Sequence, residues 1–239
     1  DRRQRQMCIR DSPVYVDGAL YAPGEVCAAI EVVDGVAQTD ARALPYGSYQ
    51  LVETKPGEGY LHTDQTVRSF QIRQDGQVIE FRDGDAAYNQ VIRGDLQFVK
   101  VGEGGESNMH RFANVAFKLT SQTTGESHIV VTDENGEVRT VTEWNPHSQN
   151  TNGNDHLLEA EAITSDMMDA EAGIWFGLGE DGSSAPANDA LAALPHGQYT
   201  LEELSCEANE GYELITKTFW IERDSGVAEA VWMTLDDQE

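Results

Sequence analysis

One strand-length pattern occurs twice in this chain, and the copy fixes more about the fold than any other feature. Leu44-Pro45-Tyr46-Gly47-Ser48-Tyr49-Gln50-Leu51-Val52-Glu53 returns as Leu194-Pro195-His196-Gly197-Gln198-Tyr199-Thr200-Leu201-Glu202-Glu203. The likeness continues past a turn: Gly59-Tyr60 answers to Gly211-Tyr212, and Phe70-Gln71-Ile72 answers to Phe219-Trp220-Ile221. A repeat this long, spaced by about one domain's length, means two related modules in tandem. In each copy, alternate residues share a face, so Tyr49, Leu51 and Glu53 lie together, as do Tyr199, Leu201 and Glu203. Each module therefore sets one glutamate on an otherwise apolar face, where a carboxylate is costly unless it has partners.

Composition bounds the rest. A chain of 239 residues with 39% hydrophobic content can fill two small cores. Its 42 acidic residues against 16 basic ones leave a net charge of -26, which repels nucleic acid and anionic lipid, so neither is expected as a partner. No apolar run approaches the length of a membrane span, and no membrane insertion is expected. Cys8, Cys27 and Cys206 are too few and too scattered for a disulfide framework or a zinc site. With Cys27 and Cys206 one to a module, two buried thiols are expected, and no cofactor or metal is implied.

The residues read mostly as strands separated by Gly-rich turns, which argues for an all-β chain of sandwiches. Residues 96–101 place Leu96, Phe98 and Lys100 on one face, and residues 113–120 form another strand. Strands at 129–132 and 138–141 flank Asp133-Glu134-Asn135-Gly136, which predicts a hairpin whose Asn-Gly supplies positive φ angles. Helical periodicity is confined to 166–172. Residues 143–189 form a polar, acidic insertion, too long for an ordinary loop and expected to carry structure of its own. The modules meet near residues 90–95 without a Pro- or Ser-rich spacer, which predicts a stiff junction.

Residues 1–12 stand apart. Met7-Cys8-Ile9-Arg10-Asp11-Ser12 is similar to what a transposon-end adapter used in DNA library preparation encodes, so this segment is expected to be non-native and is left out of the fold reading. The expected organisation is then a β-sandwich over 13–94, truncated at its N-terminus, followed by a second over 95–239 that carries the insertion.

The Leu-Pro-x-Gly-x-Tyr-x-Leu-x-Glu strand, the Gly-Tyr turn, the opening Gly94-Asp95-Leu96-Gln97-Phe98-Val99-Lys100 and the closing Asn89 together resemble the collagen-adhesin B-type (Cna-B), SpaA-like prealbumin domains of Gram-positive adhesins and pilins. Phe117-Lys118-Leu119-Thr120-Ser121 and Gly173-Ile174-Trp175-Phe176-Gly177 look like a subtype found in large surface-anchored proteins of anaerobic actinobacteria and clostridia. The resemblance implies tandem prealbumin-like, Ig-like sandwiches, each closed by an intramolecular isopeptide bond. In that chemistry a lysine of the first strand attacks the side-chain carbonyl of an Asn or Asp on the last. The amine must be neutral to attack, which an apolar setting favours. A glutamate between the two shuttles protons as ammonia or water leaves.

Carried onto this chain, the resemblance makes Lys100 the nucleophile and Glu203 the shuttle of the second module. The acceptor is Asp237, which continues the face of Val231, Met233 and Leu235, or Asp236 if a bulge intervenes. In the first module Glu53 is the shuttle and Asn89 the acceptor, while no lysine lies on an N-terminal strand; its loss upstream is expected. By analogy with disulfide closure, a loop of about 137 residues would gain roughly 5 kcal/mol at most.

Other motifs weigh less. Arg93-Gly94-Asp95 spells an integrin-binding tripeptide but sits at a module junction, and the two Leu-Pro-x-Gly stretches echo a sortase signal without its Thr-Gly or its tail. Residues 133–137 lack the spacing of a calcium loop. His147 and His156 are expected to be solvated loop histidines, and Glu202-Glu203 face opposite sides of a strand, which excludes a glycosidase pair. The function expected is a structural spacer of an extracellular, cell-wall-anchored Gram-positive adhesin or pilin-like protein, partnered by neighbouring modules of the same chain and not a turnover enzyme. The alternative is a binding module that recognises a host glycan or protein through residues 143–189. A third reading, a Lys-Glu-Asp hydrolase, would need an open cleft at Lys100.

Overall fold

The computed structural model describes residues 4–62, 66–82, 89–104 and 108–222. The described residues hold strands and short 3-10 turns but no α-helix, and the segment at 166–172 contains only a 3-10 turn over Ser165–Met167. The chain divides into two compact units, residues 1–91 and 92–239.

The first unit is built on β1 (Gln4–Ile9), β4 (Val26–Glu31), β5 (Gly47–Lys55) and β6 (Thr66–Ile72), joined antiparallel in the order β4-β1-β5-β6. A hairpin of β2 (Val14–Val16) and β3 (Ala19–Tyr21) stands beside them. Its turn residues Asp17 and Gly18 both have positive φ (47° and 81°), the pairing that a two-residue hairpin needs to match strand twist. Residues Gln4–Ile9, within the segment left out of the sequence reading, belong to the sheet. They form an inner strand, because Met7 and Ile9 alternate with polar neighbours and fill the core beside Tyr49 and Leu51.

The second unit repeats the plan. Its strands β11 (Ala116–Ser121), β12 (Ser127–Val131), β15 (Gly197–Glu203) and β16 (Thr216–Ile221) follow the order β12-β11-β15-β16. The sequence copies occupy the same places down to the pair: Tyr49 lies opposite Phe70 and stacks on it at 5.5 Å, and Tyr199 lies opposite Phe219 and stacks at the same distance. Each tyrosine hydroxyl donates to the proline carbonyl four residues earlier, at 2.8 Å from Pro45 O and from Pro195 O. That bond closes a tyrosine corner, fixing how the chain enters the strand. Burial pushes the Tyr49 hydroxyl up to about 12, so it stays a donor at any physiological pH.

Against this sheet lie smaller ladders: β8 (Gln97–Val99) with β13 (Glu137–Arg139), β9 (Val101–Gly104) with β10 (Asn108–Arg111), and β7 (Arg93–Gly94) with β14 (Leu194–Pro195). Phe98 meets Phe117 edge-on at 5.0 Å, and Leu96, Leu119, Ile129, Val138, Leu201 and Phe219 fill the space between the layers. The expected strand over 96–101 is broken at Lys100, which sits between β8 and β9.

The predicted hairpin at 133–136 is also revised. The turn forms, with Gly136 N–H bonded to Asp133 O and the Asp133 carboxylate accepting from the N–H groups of Asn135 and Glu137. Of these four residues only Gly136 takes a positive φ (72°), the left-handed glycine of a three-residue hairpin loop, and Asp133 N–H donates to Glu137 O at 2.9 Å beside it; beyond that turn β12 and β13 join different ladders.

The insertion is ordered by its polar side chains. Asn152 bridges the Trp175 backbone in both directions, donating to its carbonyl at 2.9 Å and accepting from its N–H at 2.9 Å. Asn154 does the same for Asp169. Cys27 and Cys206 are buried free thiols.

Candidate functional site

Lys100 occupies its position because the backbone on both sides of it is held. Its N–H donates to Gly136 O at 2.8 Å, and its carbonyl accepts from Phe112 N–H at 3.1 Å. Gly136 admits this approach: a Cβ there would lie 3.2 Å from Lys100 O and 3.1 Å from Phe112 N, on a left-handed backbone. The lysine side chain then runs into the sandwich, leaving Lys100 only 8% exposed, with Nζ 5.9 Å from the centre of the Phe112 ring.

Glu203 comes from the last position of β15, whose alternation points Tyr199, Leu201 and Glu203 inward and Glu202 outward toward Lys118. Its carboxylate has partners on both oxygens. Oε2 accepts from Lys100 Nζ at 2.8 Å and from Ile215 N–H at 3.2 Å, and Oε1 accepts from Asn209 Nδ2 at 2.9 Å. A buried ion pair survives desolvation only with this degree of satisfaction. Asp236 and Asp237 lie outside the described residues.

Asn209 is a buried neighbour of this pair that the sequence analysis missed. It is 2% exposed and sits in the 3-10 turn Glu207–Asn209 between β15 and β16. Its Oδ1 accepts from Cys206 N–H at 2.8 Å, and its Nδ2 also donates to Leu204 O at 2.9 Å. A signal for it exists in the repeat: the stretch from the strand glutamate to the Gly-Tyr turn is two residues longer in the second copy, and Asn209 lies within that stretch.

The first unit holds a related pair. Glu53 is 4% exposed at the matching position of β5, and its Oε2 accepts from Asn89 Nδ2 at 2.7 Å. Opposite Glu53 on β1 stands Arg5 rather than a lysine. Glu53 Oε1 is buried with no hydrogen-bond partner, and so is Arg5 Nε.

The remaining motifs fall into structural places. Arg93 is buried: its guanidinium donates to Ala192 O, Ala193 O and Phe176 O at 2.6 to 2.8 Å and lies 3.8 Å from the centre of the Trp175 ring. Asp95 accepts from Thr140 Oγ1 and Ala193 N–H, so the Arg-Gly-Asp stretch is not displayed to a partner. The expectation of a solvated His147 is corrected. It is fully buried, with Nε2 2.8 Å from Thr140 O and its ring against Trp175, because the insertion folds over it. His156 is exposed and bonded to backbone carbonyls. Among the described residues no group of His, Cys, Asp and Glu is arranged to hold a metal ion.

A second cluster ties the insertion to the sheet. His128 on β12 bonds Asp155 Oδ2 at 2.7 Å and Glu126 Oε1 at 3.1 Å, while Glu126 also accepts from the N–H groups of Gly177 and Leu178. Burial would lower the imidazole pKa, but the hydrogen bonds and charges of Asp155 and Glu126 outweigh it and hold His128 at about 9. Beside the insertion lies a cleft of about 580 Å³ lined by Arg139, Trp144, Asn145, Asp169 and Glu171; Trp144 is 63% exposed and its ring packs on the Arg139 guanidinium at 3.9 Å.

These features meet in comparisons with known proteins. Residues 26–86 match the family model of the SpaA prealbumin-like fold domain. That match falls within the first unit. Among solved structures, the Bacillus anthracis TIE protein matches at 15% identity and a TM-score of 0.51, over 93% of this chain and 28% of that one. That likeness shows the fold. A streptococcal ancillary pilin matches at 16% identity and a TM-score of 0.29, over 93% of this chain and 54% of that one. The minor pilin GBS52 of Streptococcus agalactiae matches at 16% identity and a TM-score of 0.30, over 93% and 78%. The chain thus spans little more than a quarter of the TIE protein's length. A search of curated protein sequences finds no match. No described helix is long and apolar enough to cross a membrane.

Proposed function

We propose that this chain is a load-bearing spacer of a Gram-positive surface adhesin or pilin-like protein, stiffened by an isopeptide bond that the second unit forms on itself. The observation that carries this reading is the Lys100–Glu203 contact, 2.8 Å long between side chains that are 8% and 0% exposed. Lys100 is the nucleophile and Glu203 the proton shuttle, and the acceptor is a carboxyl or carboxamide beside them. The sequence nominates Asp237 or Asp236. In the first unit Glu53 and Asn89 stand as shuttle and acceptor, 2.7 Å apart.

The reaction occurs once and consumes its own side chains, so the protein is not a turnover enzyme. Its partners are the neighbouring modules of the same long chain, and its place is the cell surface, anchored to the wall. A covalent tie between an early strand and a late one carries a pull through bonds instead of unzipping ladders. Pulling the full chain by its ends in single-molecule force spectroscopy tests this. The stretch between Lys100 and its acceptor stays closed in the parent chain and is released in a Lys100→Arg chain. Equal extension of both at the same force would overturn the reading.

A further inference from the structure

We propose that the cleft beside the insertion is a binding site for a neutral oligosaccharide, with the Trp144 indole as the platform on which a sugar ring stacks. The site goes beyond the spacer role and does not depend on the chemistry of Lys100. The cleft encloses about 580 Å³ between the insertion and the end of β13, within the range of small-ligand sites, roughly 300–1,000 Å³. Trp144 forms part of its wall and is 63% exposed, a large apolar surface left in water. The ring is nevertheless held. The Arg139 guanidinium lies 3.9 Å from its centre and is itself paired with Glu137 of β13, while Trp144 N–H donates to Val141 O at 3.1 Å. With the guanidinium over one face, the exposed area is the opposite face and the ring edge. The axial C–H groups of a pyranose form a flat, weakly positive, apolar patch that suits such a face, whose quadrupole is negative.

The polar walls suit the hydroxyls around the edge of that ring. Asn145 and Asp169 both line the cleft, and each is fixed by the protein. Asn145 Nδ2 donates to Ala170 O at 2.9 Å. Asp169 Oδ1 accepts from Glu171 N–H at 2.9 Å and Oδ2 from Asn150 Nδ2 at 2.6 Å, and Asn154 clasps the Asp169 backbone from both sides. A carboxylate so bonded keeps spare lone pairs in set directions, which is what a hydroxyl donor reads. Walls set before the ligand arrives also spare it the cost of ordering them. The charges decide the ligand class. Glu134 and Glu171 stand exposed on the cleft against Arg139, so a carboxylated or sulfated sugar is repelled. A second cation is not favoured either, because Arg139 already covers one Trp144 face and the Asp133 and Asp169 carboxylates are occupied by protein N–H groups. The insertion supplies Trp144, Asn145 and Asp169, and the first unit, which passes from Glu31 of β4 to Leu44 without such a segment, lacks them.

The test is a binding screen of the full chain on immobilised neutral oligosaccharides of hexose and N-acetylhexosamine units. The same glycans capped with a carboxylated or sulfated sugar, and an oligolysine peptide, are screened beside them. The parent is expected to hold neutral glycans, to hold their acid-capped forms less well, and to change little as salt is raised, since no net charge is neutralised. Trp144→Ala is expected to weaken binding by about tenfold or more, the loss typical of an aromatic anchor, and Trp144→Phe to restore part of it. Trp144 is exposed, so an unchanged melting temperature checks that these chains fold alike. No neutral glycan held by the parent, or equal binding by the Trp144→Ala chain, would overturn the site. Oligolysine held through Trp144 in place of any glycan would overturn the ligand class and make the cleft a basic-peptide site.

Discussion

Replacing Lys100 by alanine should lower the melting temperature of the second unit by about 10–20 °C. Closing a loop of about 137 residues stabilises a domain by about 5 kcal/mol through the lost freedom of the unfolded chain. In a unit of this size, each kcal/mol moves the midpoint by about 2–4 °C. A second cost acts through the folded state. Without the Lys100 side chain, the Glu203 carboxylate is left buried on Ile215 N–H and Asn209 Nδ2 alone, and a buried charge left uncompensated costs about 3–5 kcal/mol. Lys100→Arg separates the two, since it keeps the charge and removes the nucleophile. Scanning calorimetry should place it between parent and alanine chain. A Lys100→Ala chain that melts within about 2 °C of the parent would contradict both contributions, given the same scale.

The second large effect is on pH. His128 is held at about 9 in the folded chain, against 6.5 for an unperturbed imidazole. A raised folded pKa means that its stabilisation is complete below about pH 6.5 and is lost as pH rises through about 9. Its full size is about 3 kcal/mol. Glu126 works in the opposite sense: burial would raise its pKa, but the His128 hydrogen bond and the Gly177 and Leu178 N–H groups together lower it. Its contribution is present above its ordinary value of 4.5 and fades as pH falls below that. These two groups thus favour greatest stability between about pH 4.5 and 6.5. Urea titrations across pH 5–9 should show the second unit weakening toward the alkaline end, and His128→Gln should flatten that slope. An unchanged slope in the variant would assign the decline elsewhere. The consequence is local as well as global, since Glu126 and Asp155 pin the insertion to β12, and deprotonating His128 loosens that attachment.

What could be read from the residues, and what could not, divides along physical lines. Alternation and turn chemistry are local, so the repeated strand, its paired Phe and the inward glutamates were legible: Tyr49 and Tyr199 occupy equivalent pairs, and Glu53 and Glu203 both face the cores. The strand at 4–9 was obscured by its adapter-like wording, although Met7 and Ile9 carry the period that places it inside the sheet. The break at Lys100 and the parting of β12 from β13 depend on which backbone Gly136 touches, which no local pattern states. His147, Arg93 and Asn209 share another reason. Each is a polar residue buried because backbone carbonyls or N–H groups converge on it, from far along the chain for His147 and Arg93 and from its own turn for Asn209, and such partners are visible only after folding. The burial of Lys100 and Glu203 was legible from residue type and face, whereas Asn209 beside them was not, because a turn residue has no periodicity to mark it.

The central claim is that Lys100 closes a covalent bond inside the second unit, and the intact mass of the purified, denatured chain tests it most directly. The parent should be lighter than its sequence by one ammonia or one water, and a Glu203→Gln chain, folded alike but without the shuttle, should show its full mass. Full mass in the parent would mean that Lys100 and Glu203 form an unreacted ion pair, and the spacer would have to bear its load through hydrogen-bonded strands alone.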